Sequence, residues 1–88
     1  MNVVSEQLEQ LEKWIEENPL KNFILNAPSG INRNQIAVLV GVSRQTLNQW
    51  EKGIVTPNDK NFESLAKLTN DPMIKENWLA WLGQKPQL

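Results

Sequence analysis

A chain of 88 residues with formal net charge −1 closes one modest core, so residues 1–88 are read as a single domain. With no cysteine and no histidine, it excludes disulfides, thiolate chemistry and the commonest general base and metal ligand; no cofactor and no metal are expected. No apolar run reaches the roughly 18 residues of a membrane span. The opening Met1-Asn2-Val3-Val4-Ser5 lacks the basic start and apolar stretch of an export signal, so a cytoplasmic chain is expected. Charge is unevenly distributed. Residues 1–18 carry five glutamates and one lysine, net −4; residues 19–70 are net +3, and residues 71–88 sum to zero. An acidic leading segment therefore precedes a basic middle.

Apolar spacing is helical almost throughout and predicts an all-α fold of five to six short helices. Val4, Leu8, Leu11 and Ile15 form one stripe of an amphipathic helix over about residues 3–17, flanked by Trp14. Asn18-Pro19 reads as a cap followed by proline at the first helical position. The second helix carries Leu20, Phe23, Ile24 and Ala27 on one face, and Pro28 and Gly30 end it. A third helix runs from about Arg33 to Val40 behind an Asn32 cap, although the β-branched run 36–40 also has strand character. Gly41 supplies a turn, Ser43 caps a fourth helix that turns Leu47 and Trp50 inward, and Gly53 ends it. A fifth spans about Asn58 to Thr69. Asp71-Pro72 predicts the start of a sixth, with Ile74, Trp78, Trp81 and Leu82 on one face and a tail beyond Gly83.

Residues 32–53 contain the functional signal. Two short helices meet at Gly41, with small Ala37 at their crossing and Val42 and Leu47 between them. The ordered pieces Gln35-Ile36-Ala37, Gly41-Val42-Ser43-Arg44, Leu47 and Trp50-Glu51-Lys52-Gly53, with Pro57 and Leu65-Ala66-Lys67-Leu68 behind them, resemble the Cro/repressor-type helix-turn-helix family, also called the XRE or lambda-repressor-like family. The likeness covers about residues 20–70. It implies a lambda-repressor-like domain with residues 19–70 as its core, an added acidic N-terminal helix at 1–18, and a tryptophan-rich C-terminal helix and tail at 71–88.

The resemblance further implies a sequence-specific transcriptional regulator of double-stranded DNA, a bacterial or phage repressor associated with the nucleoid. Its second motif helix enters the major groove, so Arg44, Gln45, Asn48 and Gln49 are the expected base readers. Glutamine and asparagine suit adenine, and arginine suits guanine. Asn32, Arg33, Ser43, Thr46, Lys52 and Lys60 are the expected backbone contacts. Two departures stand out. The family usually has glutamine where this chain has Arg33. Its usual arginine partner for Glu51 falls near Asn26, so that ion pair is expected to be absent or rerouted. Val38 and Leu39 are apolar where the family is often polar, which suggests that residues 3–17 cover them, in the same chain or in a partner subunit.

A single recognition helix reads few base pairs, so a homodimer on half-sites about 34 Å apart is expected. Ile74, Trp78, Trp81 and Leu82, or the stripe of the leading helix, could form its interface; both could equally close the core. The second class of function is a protein-interaction module, such as a DNA-binding antitoxin or an adapter holding a small protein partner. No acid, base and nucleophile assemble in the sequence, so an enzyme is not expected.

Overall fold

A computed structural model describes the backbone of residues 3–26 and 31–86, and side chains from Glu6 onward within those stretches. Its elements are α1 (Val3–Glu16), α2 (Pro19–Leu25), α3 (Arg33–Val40), α4 (Arg44–Glu51), α5 (Asp59–Thr69) and α6 (Ile74–Gly83). The fold is all-α, with no strand among the described residues. The β-branched run 36–40 is helix. Its Asn32 cap and Gly41 stop, together with burial of Ile36 and Ala37, outweigh local strand preference. The roles expected for Ala27, Pro28 and Gly30 lie outside the described residues, as does the Val4 side chain.

Helix starts follow local hydrogen-bonding chemistry. Asn18 Oδ1 accepts from the amides of Leu20 and Lys21 at 2.8 and 3.2 Å. Asn32 and Gln35 form a reciprocal capping box. Ser43 and Asn58 each accept from the amide three residues on. The start of α6 differs from expectation. Asp71 Oδ1 accepts from the Met73 amide, which closes a turn through Pro72, and the helix begins only at Ile74. The aspartate caps a turn rather than the helix.

The core joins Leu20, Ile36, Ala37, Leu47, Trp50, Phe62, Leu65, Ile74 and Trp78 with Trp14 and Trp81. α3 packs on α4 and α5, and α6 on α2 and α5. Ile74, Trp78 and Trp81 are therefore buried in the chain's own core. Of the four residues considered for a dimer interface, only Leu82 stays partly exposed. Trp78 meets Phe62 and Trp81 edge-on, with centroids 5.7 and 5.8 Å apart. No described helix is long and apolar enough to cross a membrane.

The N-terminal helix docks through Trp14. Its ring stacks on Trp81 at 4.0 Å and an interplanar angle of 2°. Each indole Nε1 donates to the other residue's backbone carbonyl at 2.6 Å. Trp14 also lies over Gly53, which has φ +71 and no space for a Cβ: one placed there would collide with the Trp14 ring. The expectation that α1 covers Val38 and Leu39 within the same chain is corrected, because those side chains are 78% and 64% exposed. The indole seat between Gly53 and Trp81 fixes α1 elsewhere.

Trp14→Ala removes the stack and one of the two indole hydrogen bonds, and leaves a cavity beside Trp81. A loss of about 3–5 kcal/mol is expected in urea denaturation. A change under about 1 kcal/mol would show that α1 contributes little to the fold.

Candidate nucleic-acid interface

The geometry of α3 and α4 is set by the turn between them. Gly41 adopts φ 87, ψ 32, a left-handed conformation that suits glycine. The amides of Gly41 and Val42 both donate to the Ala37 carbonyl at 2.9 Å, which redirects the chain within two residues. Leu47 and Trp50 then face the core at 0% and 1% exposure. With those two positions inward, the first turn of α4 faces outward: Arg44 and Gln45 are exposed. Asn48 and Gln49 are half-buried.

Arg44 does not hang free. Its Nη1 donates to Asn34 Oδ1 at 2.7 Å, and its Nε donates to Asn48 Oδ1 at 3.4 Å. Of the expected backbone contacts, Lys52 and Lys60 are exposed. Ser43 and Thr46 share a hydroxyl hydrogen bond at 2.9 Å, and Ser43 caps α4 through the Thr46 amide. The Asn32 side chain is engaged in the capping box of α3. Cap and turn chemistry thus accounts for both hydroxyls and for the Asn32 amide oxygen.

Arg33 and Glu51 resolve the two departures from the family pattern together. Arg33 Nε donates to both oxygens of Glu51 at 3.1 Å. Glu51 is buried at 5%, so its carboxylate needs a partner, and Arg33 at the start of α3 supplies it. The pair is rerouted rather than lost. Asn26, near which the family places its arginine, instead donates to the Asn22 carbonyl.

A small cleft gathers Lys21, Arg33 and Lys52 with Ile15, Asn48 and Glu51. Since Arg33 and Glu51 compensate each other, Lys21 and Lys52 set its positive character. Sequence reasoning passes over Lys21. Its only signal is its charge, because nothing local shows that α2 brings position 21 beside the end of α4. Asn34 is missed likewise, since its partner Arg44 stands ten residues away across a turn.

A second surface lies on the outer side of α3. Ile31, Asn34, Gln35, Val38 and Leu39 line an open, mainly apolar groove of about 400 Å³. Leu39 continues it towards Ser64, Lys67 and Leu68 of α5.

Among known protein families, the one described as helix-turn-helix matches residues 24–70. No curated protein and no solved structure matches the chain.

Arg33→Gln, which restores the residue usual in the family, leaves the Glu51 carboxylate buried without a counter-charge. Because Arg33 is about one-third exposed, a loss of about 2–3 kcal/mol is expected rather than the larger figure for a fully buried pair. Chemical denaturation of the two proteins at neutral pH measures it.

Proposed function

The chain belongs to the helix-turn-helix family of DNA-binding regulators, and from that membership we propose that it is a sequence-specific transcriptional repressor reading the major groove with α4. The observation that carries this reading is the outward edge of Arg44 and Gln45 on a helix whose other face, Leu47 and Trp50, is locked in the core. Gln45 and Gln49 present amides suited to adenine, and Arg44 presents a fork suited to guanine. Asn48 contributes through its contact with Arg44. Lys52 and Lys60, with Lys21 added, bind phosphates; Asn32, Arg33, Ser43 and Thr46 line the approach to the backbone. A chain of net charge −1 binds a polyanion because its basic excess lies in residues 19–70 and its acidic excess in residues 1–18.

Selection of bound duplexes from a random pool tests the proposal, and a palindromic consensus is expected. Binding of a consensus duplex should weaken steeply with salt as counterions are released. Gln45→Ala should cost about 1–3 kcal/mol on the consensus and relax preference at one base pair. Lys52→Ala should weaken all sequences alike and reduce the salt slope by about one. A chain indifferent to duplex DNA at low ionic strength would falsify the reading.

The groove on α3 favours a second, compatible reading: a protein partner seated there, either a second copy of the chain or a small protein whose activity the chain controls. Exposed apolar side chains at Val38 and Leu39 support it, since a contiguous apolar surface is costly to leave in water. For the homodimer, Val38→Glu should lower the mass measured by sedimentation to that of one chain; an unchanged dimer would move the interface off this groove.

A further inference from the structure

The contact between Asn34 and Arg44 links the base-reading edge of α4 to a residue outside it, and its significance rests on Arg44 as a base reader. Arginine has a long, flexible stem, and ordering it on a ligand forfeits rotamer freedom. Arg44 is exposed, so packing alone does not define its orientation. Two acceptors do. Asn34 Oδ1 on α3 takes Nη1 at 2.7 Å, and Asn48 Oδ1 one turn along α4 takes Nε at 3.4 Å. The shorter bond comes from the neighbouring helix. The backbone that carries its acceptor is positioned by the Gly41 turn and by the Arg33–Glu51 pair, which ties the start of α3 to the end of α4.

Arg33 cannot serve the same purpose, because its charge is committed to Glu51. The next residue, Asn34, bears an acceptor and no charge. Of the five N–H groups of a guanidinium, the two contacts use two. Three remain, enough for a two-pronged approach to guanine O6 and N7.

We propose that Asn34 is a specificity-determining positioning residue: its side-chain carbonyl holds the Arg44 guanidinium in the plane in which it reads guanine. A fork already in place binds with less loss of freedom, and it penalises a wrong base more sharply than a mobile one. Asn34 itself touches neither base nor phosphate. Its effect on base preference is therefore confined to the base pair read by Arg44.

The test uses the full chain, a random duplex pool, and fluorescence anisotropy on the wild-type consensus and on duplexes changed one pair at a time. Asn34→Ala should flatten preference at the same pair that Arg44→Ala flattens, by about tenfold, with the salt slope unchanged. The Asn34→Ala/Arg44→Ala double variant should discriminate no worse than Arg44→Ala alone, because the two act as one unit. Asn34→Asp keeps an acceptor, so it should retain the preference while weakening all duplexes through its charge. Denaturation midpoints of the Asn34 variants should stay near wild type, since the residue is exposed. An Asn34→Ala consensus identical to wild type, or additive losses in the double variant, overturns this proposal alone. A uniform loss over all duplexes, with base preference kept, makes Asn34 a backbone contact and also overturns it. Failure of the wild-type chain to bind any duplex removes the base-reading role of α4 as well.

Discussion

The carboxylate of Glu51 lies inside the molecule and cannot stay there alone. Removing a carboxylate from water is costly, and only a well-aligned donor offsets it. Arg33 provides that donor 18 positions earlier, at the opposite end of the helix pair. The constraint therefore acts on geometry. α3 and α4 are joined at one end by the Gly41 turn and clamped at the other by an ion pair, with Ala37 and Leu47 buried between. The angle between the helices, and hence the direction in which Arg44 and Gln45 project, is set by these contacts.

The same pair shows how one substitution redistributes duties. An arginine at position 33 satisfies Glu51, while the neutral acceptor next to it, Asn34, meets Arg44. The family pattern places the partner of Glu51 near position 26 instead. Carrying that role over by position alone would miss Arg33. The chemistry of the groups that need partners, a buried carboxylate and an exposed guanidinium, accounts for the arrangement.

The leading helix illustrates a different kind of control. Its apolar stripe indicates that it docks, but not where. Trp14 needs a flat surface, a hydrogen-bond acceptor for its Nε1 and space for its ring. Trp81 and Gly53 together provide all three. By taking that seat α1 closes the tryptophan-rich side and leaves the outer face of α3 uncovered. The Trp14 stack that helps bury Trp81 and the exposure of Val38 and Leu39 are thus two consequences of one docking choice.

Local rules made much of this molecule legible from its residues: the caps at Asn18, Asn32 and Ser43, the glycine turn, and the inward period of Leu47 and Trp50. Each depends on atoms a few residues apart, where backbone geometry is set by the helix itself. Asp71 misled because a side chain that can cap a helix can also close the turn before it. Residues 67 or 18 positions apart, as in Trp14–Trp81 and Arg33–Glu51, leave no periodic trace. Lys21 and Asn34 entered the candidate site for the same reason: only packing of helices brought them beside α4. The amino-acid order by itself determined the helices, their caps and the motif, since those energies are local. Tertiary structure alone decided which face α1 covers, which arginine neutralises Glu51 and what steadies Arg44, because a distant partner is selected by shape and unmet charge.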